Sequence, residues 1–108
     1  MSLIETKQLE AALTDFAKAR DWERFHSPKN LAMALSVEVA ELVEIFQWKS
    51  EPESRAVMQG DEAAHVEQEL ADIALYLVRL ASVLGVNLNA AVESKLALNA
   101  IKYPSPDA

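Results

Sequence analysis

A chain of 108 residues, half of them hydrophobic, has apolar surface enough for one domain around a single core. With no cysteine it can form neither a disulfide framework nor a thiolate metal site, and two glycines are too few for a Gly-rich phosphate loop. A net charge of −7 argues against a nucleic-acid binder, yet leaves room for small phosphorylated ligands held through a metal.

Leu9, Leu13 and Phe16, with Ala12 and Ala17 beside them, predict a first amphipathic helix over about residues 3 to 21. WERFHSPKN interrupts it. Ser27 before Pro28 marks the next start, a hydroxyl at the N-cap and a proline where no amide bond is lost. That second helix is expected to run to about Lys49. The polar stretch SEPESRAVMQGD, with Pro52 and Gly60, reads as a connection with room for one short helical turn. Asp61 is placed to cap a third helix carrying Val66, Leu70, Ile73, Leu77, Leu80 and Leu84, with Gly85 as its C′ residue. After GVNLN a fourth helix carries Leu88, Val92 and Leu96 and stops near YPSPD.

Residues 1–104 are therefore expected to form a single all-α domain, an antiparallel four-helix bundle, followed by a disordered tail over 105–108. Val37, Val39, Val43, Ala74 and Val78 widen the apolar faces of helices two and three beyond one stripe. Helices of that kind are buried on several sides, so self-association is expected, the alternative being cover by the first and fourth helices. There is no apolar run long enough to span a membrane, and MSLIETKQLEAAL lacks the features of a secretory signal. A soluble cytoplasmic protein is the expectation.

Four acids sit in the wrong place for a solvated face. Glu38 lies three residues after Leu35 and four before Leu42, and Glu41 four after Val37 and four before Ile45. In HVEQELADIALYL, Glu69 and Asp72 are again three apart, with Val66, Ile73, Leu75 and Tyr76 around them. Residues at those spacings share a helix face. A lone ExxE is usually a solvated face; two pairs embedded among apolar neighbours on adjacent helices point to a metal site. Packed antiparallel, the pairs bring four carboxylates together, which cannot all stay ionised without compensation. A hard divalent cation supplies it. All-oxygen ligation, with no cysteine and no histidine in register with either pair, selects Mg²⁺ or Mn²⁺ over zinc or copper. Glu44, Glu62 and Glu67 read as surface residues or outer support.

Lys95, Asn99 and Lys102 form one polar ridge on the fourth helix, able to hold phosphate oxygens, although spacing alone favours a solvated face there. Trp22, Phe25 and His26 precede the second helix, and Phe46 and Trp48 close it. An indole or imidazole at a pocket mouth can stack on a heterocycle; Phe25 and Phe46 read as caps on the core ends.

The runs WERFHSPKNLAMALSVEVAELVEIFQWKS, EQELADIALYLVRLA and SKLALNAIKYP resemble the MazG-like, all-α nucleotide pyrophosphohydrolases, and within them the dCTP pyrophosphatase branch. The resemblance runs from about Thr14 to Pro104. It implies cleavage of (deoxy)nucleoside triphosphates to a monophosphate and pyrophosphate with Mg²⁺, and a homodimer or homotetramer. It makes Glu38, Glu41, Glu69 and Asp72 the metal ligands, with Glu41 the acid that orients or deprotonates water. Trp22, His26 and Trp48 match positions lining the base pocket. Tyr76, Lys95 and Asn99, and with them Lys102 and Tyr103, match positions near sugar and phosphates. Where the family often has a doubled glutamate this chain has Val37-Glu38, which favours a shorter acid site. Two other readings compete: a non-catalytic helical interaction module whose acids pair with a partner's cations, and a hydrolase of another nucleotide phosphate ester.

Overall fold

The computed structural model describes residues 2–106, and every regular element among them is helical. Helix α1 spans Lys7–Ala19, α2 Pro28–Phe46, α3 Glu51–Arg55, α4 Ala63–Leu84 and α5 Leu88–Lys102, with single 3₁₀ turns at Glu23–Phe25 and Val57–Gln59. The first helix is shorter at both ends than periodicity suggests. The connection after Phe46 holds α3 and a 3₁₀ turn where one turn was expected.

Local chemistry explains the boundaries. The Ser27 hydroxyl accepts the Asn30 amide at 3.1 Å with Pro28 behind it, and Ser50 with Glu53 forms a reciprocal capping box that starts α3. Asn87 caps α5 through the Ala90 amide. Asp61 does not cap α4: Glu62 occupies the cap position without a side-chain bond, its carboxylate taken instead by Lys49. Gly85 closes α4 in the left-handed region at φ 71°, where a Cβ would cost energy.

Helices α2 and α4 pack antiparallel along their length, Lys49 meeting Glu62 at one end and His26 meeting Arg79 at the other. Helix α1 leans on α4. Ala17, Leu31, Ile45, Val66, Val78 and Ala81 form the buried apolar core. Helix α5 does not complete a four-helix bundle within the chain; it swings out, tied back by Asn89 Oδ1, which accepts the Leu3 and Ile4 amides at 2.8 and 3.0 Å. Leu96, Leu98 and Ile101 on it are exposed.

The single chain is open. Its radius of gyration is 17.0 Å, against about 13 Å for a compact domain of this length. It exposes 8020 Å², against roughly 5,900 Å² for a folded monomer of this mass. Met33, Val37 and Val43 on α2 and Leu70, Leu77 and Leu84 on α4 stay at least 40% exposed. Among the described residues no helix is long and apolar enough to cross a membrane. The expected tail falls partly outside the described residues, at 107 and 108.

Candidate active site

Near the middle of the α2–α4 seam, one carboxylate oxygen each from Glu38, Glu41 and Glu69 lie within 4.8 Å of one another. Glu69 is 6% exposed; the other two are half-buried. Glu38 Oε2 and Glu69 Oε2 are shut away from solvent and meet no N–H or O–H donor. The Glu69 carboxylate beside it is the first cause, burial the second and Glu41 the third that push the Glu38 carboxyl up to about 7. Buried polar atoms are almost always satisfied, and two carboxylate oxygens without donors facing a third acid form a cluster that could hold a cation. The donor set, all oxygen, fits a hard divalent ion.

One nitrogen base does stand in register, contrary to expectation. His65 lies four residues before Glu69 on α4, and its Nε2 comes within 3.3 Å of Glu69 Oε1. The i, i+4 spacing of His65 and Glu69 on one helix is the sequence signal for this contact.

Asp72, one turn further along α4, stands outside the three-acid cluster and lines an adjoining cavity of about 150 Å³. Leu13, Phe16, Trp22, His26 and Leu31 line the same space, with Leu75, Tyr76 and Arg79 from α4. The acids and the cavity thus share the wall of α4. Phe16 and Trp22 meet edge to face with ring centroids 5.7 Å apart, and Trp22 tilts against His26 at 6.4 Å.

The turn after α1 aims Trp22 here. The Trp22 amide reaches back to the Ala17 carbonyl at 2.9 Å and the Asp21 amide to Lys18 at 3.2 Å, the two bonds of a Schellman motif. Asp21 takes the left-handed position at φ 55°, normally a glycine's.

At the far wall Arg79, 8% exposed, donates from Nε to His26 Nδ1 at 3.0 Å and from Nη1 to the Thr14 hydroxyl at 3.2 Å. Burial first, then the Arg79 charge, holds His26 below its usual value of 6.5. Arg79 and Thr14 carried no sequence signal: an arginine inside LYLVRLASVL looks like a surface residue of an apolar helix.

The remaining expected site residues lie elsewhere in the single chain. Trp48 is 88% exposed past the end of α2, and Lys95, Asn99 and Lys102 ride on α5 with Tyr103 at its C-cap, outside the cavity lining and the acid cluster. Lys102 stands over the Tyr103 ring at 5.3 Å.

Residues 33–108 match the model of the MazG-like family. The chain is 48% identical over 91 residues to dCTP pyrophosphatase 1 of Rattus norvegicus and 47% over 94 residues to that of Homo sapiens, covering 83% and 84% of this chain. It spans 54% of each of those relatives, about half their length. A crystal structure of a pyrophosphatase from Archaeoglobus fulgidus superposes with a TM-score of 0.86 at 42% identity, covering 93% of both chains.

Proposed function

The chain belongs to the MazG-like family, and from that premise we propose that it is an Mg²⁺-dependent nucleoside triphosphate pyrophosphohydrolase. It takes (deoxy)nucleoside triphosphates, dCTP-like preferred, and releases a monophosphate and pyrophosphate. The observation carrying this reading is the convergence of Glu38, Glu41 and Glu69 with two buried oxygens that have no donor, in a chain similar to named pyrophosphatases.

Glu38, Glu41, Glu69 and Asp72 would hold the Mg²⁺, with Mn²⁺ able to replace it. Bound there, such an ion supplies Lewis-acid polarisation of a phosphoryl oxygen and acidifies water at neutral pH. Glu41 orients the attacking water and takes its proton. His65, against Glu69, steadies that carboxylate's orientation. Trp22, His26 and Tyr76 frame the base in the cavity that adjoins the acids through Asp72.

Trp48, Lys95, Asn99, Lys102 and Tyr103 reach substrate in this reading through a homodimer or homotetramer. The excess exposed area and the bare apolar faces of α2, α4 and α5 support that assembly. An excess of roughly 2,000 Å² per chain is ample, since a stable interface buries about 800 Å² on each partner. Sedimentation should show no monomer at micromolar concentration, and Val37→Glu with Leu70→Lys should release one. Residues 1–104 form the working unit, and the cytoplasm is the compartment assigned.

The deciding assay is a panel of deoxy- and ribonucleoside triphosphates with and without Mg²⁺, scoring pyrophosphate against orthophosphate. Pyrophosphate release that needs Mg²⁺ and is fastest with a cytosine nucleotide is the expected result. Orthophosphate alone would mean another phosphate-ester chemistry. No hydrolysis and no stabilisation by Mg²⁺ would mean a helical interaction module.

A further inference from the structure

A buried cation without an anion is costly, and Arg79 is one. Among the described residues no carboxylate comes within ion-pair distance of it. Of the five N–H groups on a guanidinium, two are spent, on His26 Nδ1 and the Thr14 hydroxyl. Arg79 also lines the aromatic cavity, whose other polar members are His26, Asp72 and Tyr76. An arginine is not deprotonated in proteins, so its Nε must be the donor and His26 Nδ1 the acceptor. That fixes the imidazole: a neutral ring accepting at Nδ1 carries its proton on Nε2. The lowered pKa of His26 agrees with a ring kept neutral beside a cation. The wall made by Arg79 and His26 therefore offers donors.

Size adds a second restriction. The pocket, partly open to solvent, measures about 150 Å³, the space that one six-membered aromatic ring fills when enclosed. We infer that Arg79 is the specificity residue of the pocket: with the His26 tautomer it fixes, it selects a single-ring base whose buried edge carries adjacent hydrogen-bond acceptors. Cytosine has two, O2 and N3. Uracil and thymine carry an N–H at position 3, which meets a donor with a donor and leaves both unpaired. This rests on the pyrophosphohydrolase reading for the triphosphate and goes beyond it in naming how the base is told apart and by which residue.

The test has two arms. In the first, ¹⁵N shifts of His26 in the wild-type protein report the tautomer without any turnover. A proton on Nε2 is expected, and a proton on Nδ1 overturns the inference. In the second, Arg79→Met keeps the volume and removes the donors. The KM for dCTP should rise at least about tenfold, the loss of one or two charged hydrogen bonds, with a much smaller change in kcat. The ratio of kcat/KM for dCTP over dUTP should fall toward one, and a ratio that stays at the wild-type value overturns the inference. Thr14→Val retains the cation but removes one tether, and should shift the same ratio in the same direction by less, so the test survives if Arg79→Met fails to fold. Should the wild-type protein hydrolyse no triphosphate, the functional reading fails separately. Binding of cytidine against uridine, followed at the Trp22 indole and His26 signals, then decides the role of Arg79.

Discussion

The acid seam and the aromatic cavity lie side by side on α4 and solve opposite problems. In the seam, negative groups converge on one another and two oxygens go without donors. In the cavity a single positive group is buried, and neutral partners from α1 and from the turn before α2 take two of its donors. In the reading proposed above a cation completes the seam, whereas the cavity is already assembled to take an uncharged ring. Their titrations also run in opposite directions. Folding raises the Glu38 carboxyl to about 7 from 4.5, while it lowers His26 from 6.5.

The largest effect expected is on the seam's chemistry. Glu38→Ala or Glu41→Ala should reduce kcat by at least about 10²–10³-fold, as loss of an electrostatic stabiliser does. Either variant turning over at the wild-type rate would remove the basis for placing the reaction there. Mg²⁺ at a hundredfold excess over its dissociation constant should stabilise the wild-type protein by about 2.7 kcal/mol through linkage. Neither alanine variant should show that gain in differential scanning fluorimetry.

Glu38→Gln separates stability from activity. Glutamine stands in for the protonated carboxyl, so at pH 8 the metal-free variant should melt several degrees above the wild type, each kcal/mol being worth about 4–8 °C. It should be inactive all the same. A variant that melted lower would mean that the seam's repulsion is not felt in the folded chain.

The opposed titrations give a pH experiment. A carboxyl with a raised folded pKa contributes stability that is full below pH 4.5 and is lost as pH rises through about 7. A histidine with a lowered folded pKa does the reverse, contributing stability that is present above 6.5 and is lost as pH falls through the lower folded value. In metal-free wild-type protein the two partly cancel. Glu38→Gln should expose a melting temperature that rises with pH up to about 6.5, and His26→Gln one that falls as pH rises from 4.5 through about 7. Matching profiles in the two variants would erase the contrast between the regions.

Much of this was legible in the sequence, for one reason: local signals carried it. Periodicity gave the helices, Ser27-Pro28 and Gly85 gave two of their ends, and acids at i, i+3 among apolar neighbours gave the seam. What could not be read depends on contacts between distant residues. Arg79 and His26 are 53 positions apart and Arg79 and Thr14 are 65, so no spacing rule joins them. The detachment of α5 was equally hidden, because a helix with apolar residues looks the same whether it folds back on its own chain or packs against another copy. Asp61 was a reasonable cap by residue type, and lost to a chain path that put Glu62 at the position and gave its carboxylate to Lys49.

The smallest effect concerns the turn that links the regions. The same motif closes α1 and α4, with Asp21 at φ 55° in one and Gly85 at φ 71° in the other. An L-residue in that conformation costs roughly 1–2 kcal/mol, less for Asp than for most. Gly85→Ala should therefore destabilise by about 1 kcal/mol through backbone strain alone, since a Cβ there meets no atom within 4 Å. Asp21→Gly relieves the strain, but a glycine also gives the unfolded chain more freedom, so the net gain should stay below about 1 kcal/mol. Its interest lies in the cavity. Asp21 sets the direction from which Trp22 enters, and its salt bridge to Arg24, 3.3 Å and exposed, holds little. If backbone geometry positions the indole, Asp21→Gly should leave the KM for dCTP nearly unchanged, whereas Asp21→Val, too bulky for a left-handed turn, should raise it along with a lower melting temperature.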